Sequence, residues 1–161
     1  GRRGPNNNAS PMSKRTYTDI DKQEFEAALA ETGFAFKEVD YEWSRELIYE
    51  AESENGMFTL RVYSSLSKHT GHARDKGSDA IRTVVIHTDT GRPVLKEKRT
   101  NRIQTWKKNL KKKIDNMASR QSEVEICSQC GNPMVIRTSK NGNEFYGCSQ
   151  YPECTYTKSI N

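Results

Sequence analysis

The chain has 161 residues, enough for one domain of ordinary size and a small appendage. Hydrophobic residues make up 33% and charged residues 29%, with a mean hydropathy of −0.93, so a modest core sits under a large solvated surface; no apolar run approaches the roughly 18 residues of a membrane span. The net charge of +5 conceals an asymmetry: residues 13–56 carry 5 basic and 12 acidic side chains, residues 57–120 carry 16 and 5. Unless the two sets mix on folding, one part of the surface suits a polyanion.

Residues 1–11 read as an expression-tag remnant ahead of Met12 and are set aside. Asp21 and Glu24 form a capping box, with Ile20 and Phe25 as its hydrophobic staple. The helix they open buries Phe25, Ala28 and Leu29 and ends at Gly33. An extended segment covers residues 34–41, and strands at 46–54 and 57–66 flank Asn55-Gly56, the sequence signature of a type I′ hairpin. Phe58, Leu60 and Val62 alternate with Thr59, Arg61 and Tyr63, which predicts one inward and one outward face. A second hairpin joins residues 80–87 to 93–99 through Thr88, Asp89, Thr90 and Gly91.

Between the hairpins, residues 67–79 form a long polar connection of a length that is usually functional or disordered. Lys68, His69, His72, Arg74 and Lys76 suit phosphate, and with Asp75 and Asp79 they leave a nuclease site open. A helix follows in which Ile103, Trp106, Leu110, Ile114 and Met117 recur at steps of three and four, the stripe that packs on a sheet. Its other faces carry Arg102, Lys107, Lys108, Lys111, Lys112 and Lys113. Such crowded lysines repel one another unless a counter-charge is near, and a phosphate backbone would supply one; a solvated face is the plainer alternative.

The four cysteines, Cys127, Cys130, Cys148 and Cys154, follow the pattern C-x2-C-x17-C-x5-C. Tetrahedral Zn2+ takes four ligands in a structural site, and each knuckle offers two thiolates from one side. Two disulfides are the rival arrangement, disfavoured in a chain read as intracellular, cytoplasmic or in the nucleoid. Four thiolates leave no open position for a catalytic water.

Cys130-Gly131 followed by Met134, then Phe145-Tyr146-Gly147-Cys148 and Tyr151-Pro152-Glu153-Cys154, resemble the C4 zinc ribbon of type IA DNA topoisomerases over residues 125–160. Ser128 departs from the proline usual there. The resemblance implies a ribbon that binds single-stranded DNA and, in some members, RNA polymerase. The family's catalytic tyrosine and acidic cluster lie outside the matching residues.

On the ribbon, Arg137 and Lys140 are expected to hold phosphates while Tyr146 and Tyr151 stack on bases, with Phe145 the ring expected in the core. The predicted fold is α+β, an antiparallel sheet flanked by N- and C-terminal helices and followed by a small zinc ribbon. Its parts are an α+β nucleic-acid-binding domain at 12–119, a linker at 120–126 and the ribbon at 127–161. The function expected is single-stranded DNA binding in replication or repair, with one structural Zn2+ and no catalytic residue assigned. A metal-dependent nuclease using the 67–79 loop, or an adaptor that binds replication or transcription proteins, are the alternatives.

Overall fold

Asp21 accepts the backbone N–H of Glu24 at 2.8 Å, satisfying one of the donors that a helix start leaves unpaired. Helix α1 runs from there, Lys22–Ala30, and Ile20 and Phe25 both lie fully buried in the main core, as the staple requires. The computed structural model describes residues 17–71, 80–95, 98–100 and 103–160. A five-stranded antiparallel sheet follows α1 in the order β1 (Lys37–Val39), β2 (Leu47–Glu52), β3 (Phe58–Ser64), β4 (Ile81–His87) and β5 (Lys98–Thr100). The short helix α2 (Ser67–Thr70) follows β3, and α3 (Trp106–Ser119) follows β5. A second antiparallel sheet is built from β6 (Met134–Thr138), β7 (Glu144–Cys148) and β8 (Thr157–Ser159). The fold is α+β, and among the described residues no helix is long and apolar enough to cross a membrane.

The hairpin at Asn55-Gly56 forms, but not through a type I′ turn. Gly56 has φ +71°, while among the described residues no non-glycine has a positive φ, so Asn55 does not take the left-handed conformation such a turn requires at both positions. The loop is longer instead. Ser53 accepts the Gly56 N–H at 2.9 Å and donates its own N–H to Phe58 at 2.8 Å. The Asn55 carboxamide oxygen takes the Met57 N–H at 2.9 Å, which explains an asparagine there without any backbone strain.

Strand alternation divides the sheet into two faces. Tyr49, Leu60, Val62, Ile81 and Val85 point inward and meet Trp106, Leu110, Ile114 and Met117 of α3 in one core. Phe25 from α1 stacks on Trp106, ring centroids 5.9 Å apart. Among the described residues the helices thus cover one face; the other carries Ile48, Glu50, Arg61, Tyr63, Arg82, Val84 and Ile86 by register.

The two sheets are joined. Residues Arg92 and Val94 hydrogen-bond back to β4, and on its other side Pro93 accepts the backbone N–H of Ile136 in β6 at 2.7 Å. Val124 and Val135, from the segment before the small sheet and from β6 itself, are buried in the main core. Residues 120–123 form a 3-10 turn against the end of α3.

His69, in α2, is structural. Its Nε2 must donate to the Ile20 carbonyl oxygen at 2.9 Å, since a carbonyl only accepts, which leaves Nδ1 to accept from the Ser64 hydroxyl at 2.7 Å. The ring also meets Phe25 edge-on. Burial pulls its pKa below the usual histidine value, opposed by the bond to Ile20. A histidine kept neutral in the folded state favours folding above its unfolded pKa and costs stability as pH falls through that value. The urea midpoint is therefore expected to drop as pH is lowered below about 6.5, and His69→Gln is expected to flatten that dependence. Identical pH profiles for the two proteins would show that His69 protonates without cost.

Candidate metal centre and nucleic-acid interface

Two tight turns deliver the four cysteines to one point. In the first, the Gly131 N–H reaches the Cys127 carbonyl at 2.8 Å, with Gly131 at φ +79°, a conformation only glycine adopts easily. In the second, the N–H groups of Tyr151 and Cys154 return to Cys148 and Gln150. The β6–β7 register sets Met134 opposite Cys148 and thereby aligns the two turns.

The sulfur atoms all lie within 4.8 Å of one another, with Cys127–Cys154 at 3.6 Å and Cys130–Cys148 at 3.4 Å. Those separations are too long for disulfides. They approach the roughly 3.8 Å edge of a tetrahedron with metal–sulfur bonds of about 2.3 Å. Backbone N–H groups of Gln129 and Gln150 point at the Cys127 and Cys148 sulfurs, both at 3.4 Å, and the Asn132 side chain donates to Cys130 at 3.3 Å. Donors aimed at sulfur stabilise thiolate over thiol. Asn132 in this way brings the Cys130 pKa down to about 6, whereas burial pushes Cys148 up to about 12. The residues fit Zn2+: together they form a C4 zinc ribbon site for one structural ion, whose binding displaces the thiol protons and draws the two turns together.

Beside this centre Arg137 and Tyr151 form a unit. The guanidinium lies 4.8 Å from the ring centroid, within cation–π range, and Tyr151 is 58% exposed. Gly147 makes the approach feasible, because a Cβ there would stand 2.8 Å from Cδ of Arg137, whose stem crosses β7 at that point. Tyr146 is different. It pairs with Ile136 on the opposite face of β7 and packs, half-buried, with Tyr156 against Cys127, Met134 and Cys148. Sequence reasoning had placed Tyr146 at the surface and Phe145 in the core; the strand alternation puts Tyr146 with the metal, and Phe145 is part-buried on the side of Gly147. Lys140 is exposed in the β6–β7 turn, and Lys158 is paired with Glu125 at 2.6 Å.

The lysines of α3 divide into two groups. Lys107 lies 3.5 Å from Glu24 and Lys111 lies 2.9 Å from Asp115, so acids of the protein itself supply part of their counter-charge. Lys108 and Lys112 are exposed, and among the described residues no acid pairs with either. Arg74, Lys76 and the side chain of Lys68 lie outside the described residues. So do His72, Asp75 and Asp79.

One cluster escaped the sequence reading. On the sheet face without helices, Arg61 sits within 6 Å of three ring centroids, Tyr41 at 5.2 Å, Trp43 at 5.9 Å and Tyr63 at 5.7 Å. The alternation along β3 placed Arg61 and Tyr63 outward, but nothing local announced that residues 40–46 would bring Tyr41 and Trp43 onto them.

Residues 124–161 match a family described as the topoisomerase DNA binding C4 zinc finger, and no family matches the region before them. DNA topoisomerase 1 of Archaeoglobus fulgidus is 40% identical over 50 residues, 31% of this chain and 8% of that protein. DNA topoisomerase 1 of Mycoplasma genitalium is 29% identical over 111 residues, 63% of this chain and 15% of that protein. The Escherichia coli protein YrdD is 50% identical over 36 residues, 22% of this chain and 19% of that one. The chain thus spans less than a fifth of the length of each of these relatives. No solved structure matches.

Cys148→Ser is expected to release zinc and to abolish hydrogen-exchange protection across residues 127–160. Because Val124 and Val135 belong to the main core, the same change is expected to lower the stability of the rest of the chain as well, by about 1.5–3 kcal/mol per valine exposed. Metal analysis showing less than one zinc per reduced wild-type chain would contradict the assignment.

Proposed function

We propose that this protein binds nucleic acid, with single-stranded DNA as its preferred ligand. The carrying observation is the exposed Tyr151 ring with Arg137 beside it, set on a C4 zinc ribbon. An aromatic face accepts an unpaired base of any sequence, and a guanidinium next to it holds the adjoining phosphate. The likeness of residues 124–161 to a zinc finger described as DNA binding, and of the chain to DNA topoisomerases, supports the same reading.

The region 12–119 contributes charge in this proposal. Lys108 and Lys112 lie one turn apart on α3 and serve as phosphate contacts, with Lys107 and Lys111 joining once their internal acids give way. Lys140 of the β6–β7 turn adds to this charge, and Lys68, Arg74 and Lys76 of the 67–79 connection are proposed as further phosphate contacts on their chemistry alone. The ribbon at 127–161 supplies stacking, and the segment 120–126 holds the two together. A protein of this kind would protect or anneal single strands during replication or repair, in a reducing compartment that keeps the thiolates available. The nuclease alternative draws no support from His69, both of whose ring nitrogens are engaged by Ser64 and Ile20.

Fluorescence anisotropy with labelled single-stranded and duplex oligonucleotides tests this reading. Tyr151→Ala is expected to cost about 1–3 kcal/mol on the single strand and little on the duplex, whose base faces are hidden. Replacing Lys108 and Lys112 with Gln is expected to flatten the plot of log K against log salt by roughly 1.4, two single-strand phosphate contacts at about 0.7 each. Equal losses on single strand and duplex for Tyr151→Ala, or an unchanged salt slope, would contradict the respective contact.

A further inference from the structure

Arg61 is only 7% exposed, an expensive place for a guanidinium unless its donors are met. They are met by Glu50 at 2.7 Å, by the Tyr63 hydroxyl at 3.0 Å and by the Tyr41 hydroxyl at 3.3 Å. The cation is therefore fixed, and it fixes the rings around it. Tyr41 stacks on Trp43 with centroids 4.9 Å apart and planes 27° from parallel, yet Trp43 remains 65% exposed. Arg82 lies over the other side of this cluster, 4.3 Å from the Tyr63 centroid, and is paired with Glu46. An indole pinned at its inner side and open at its outer side is a platform whose ordering cost has already been met.

A groove of about 390 Å³ adjoins it, within the size range of small-ligand pockets. Arg61, Tyr63, Val84, Ile86, Ile136 and Glu144 line it, where the central sheet meets β6. Arg61 is thus shared between platform and groove, and the groove ends at the strand that also carries Arg137. The chemistry of the occupant follows from what is already present. The three rings already hold a cation, with Arg61 within 6 Å of every centroid, so what the platform leaves open is the outer aromatic face of Trp43. A neutral planar ring gains from stacking on the open face of Trp43.

We propose that Trp43, Tyr41 and Tyr63, held by Arg61, form a second stacking site that takes one unpaired nucleobase of a single strand on the open face of the central sheet. This rests on the nucleic-acid-binding reading above and places a contact outside the zinc ribbon.

Trp43 and Trp106 are the two tryptophans of the chain, and Trp106 is 2% exposed in the core, so quenching by a stacked base reports Trp43. A short oligothymidylate titrated into the zinc-loaded 161-residue chain is expected to quench tryptophan emission with the same Kd that anisotropy gives for the labelled strand. Trp43→Ala is expected to weaken binding roughly 5- to 150-fold, the range of one lost stacking contact, and Trp43→Phe to recover part of it. As Trp43 is exposed, both variants should fold, which unchanged near-ultraviolet circular dichroism from Trp106 and the tyrosines would verify. Binding by anisotropy with an unchanged Kd in Trp43→Ala overturns this site while leaving the ribbon reading intact. An absence of binding to any oligonucleotide by the wild-type chain overturns both.

Discussion

Four thiolates brought within a few ångströms of one another repel, and only a shared cation reconciles them. Fewer than forty residues cannot bury enough apolar surface to hold a fold by themselves, and around the metal the buried set is small: Cys127, Met134 and Cys148, with Tyr146 and Tyr156 partly covered. The turns, the β6–β7 register and the position of Tyr151 all follow from closing that centre. The protein's second support is packing. Met134 packs at the metal centre while Val135 beside it enters the main core, so metal binding and hydrophobic burial act on adjacent residues of a single strand.

Arg61 plays a comparable organising part in the central sheet, by a different route. A buried guanidinium with one carboxylate partner would gain little over an apolar residue of the same volume. Here the guanidinium also takes two tyrosine hydroxyls and three ring faces, so its burial orders residues 41, 43 and 63 together. Ile48, Val84 and Ile86, apolar residues on the face away from the helices, are buried nonetheless, which is why the face is a shaped surface and not merely the back of a sheet.

Local signals were sufficient wherever the chemistry was local. The Asp21 cap, the α3 stripe and the cysteine spacing are each set by residues a few positions apart, and each is seen in the structure, whereas the outward residues of β3, Thr59 and Arg61, are buried as fully as the inward ones. Asn55-Gly56 marked a hairpin but not its turn, because one left-handed glycine and an asparagine side-chain bond close a longer loop equally well. Tyr146 was misplaced for want of a register: which side of β7 faces the metal depends on how Met134 aligns with Cys148, and no residue of β7 states it. The Tyr41–Trp43–Arg61–Tyr63 cluster was hidden for a similar reason, since it needs a contact between residues some twenty positions apart. The helix lysines were legible as a charged surface, and Asp115, four residues after Lys111 on the same helix, was a local partner the reading passed over; only Glu24 required the packing of α1 against α3.

The seam at Pro93 bears on how the molecule ends. With β6 bonded to that segment, hydrogen bonding runs from the central sheet into the ribbon, and the strands left at the borders among the described residues, β1, β5 and β8, have three residues each. Short polar borders give a neighbouring molecule little to pair with. The ribbon thus guards a margin of the sheet against strand addition. Stripping or oxidising its thiolates would loosen β6 from Pro93 and open that margin to strand addition by a second molecule.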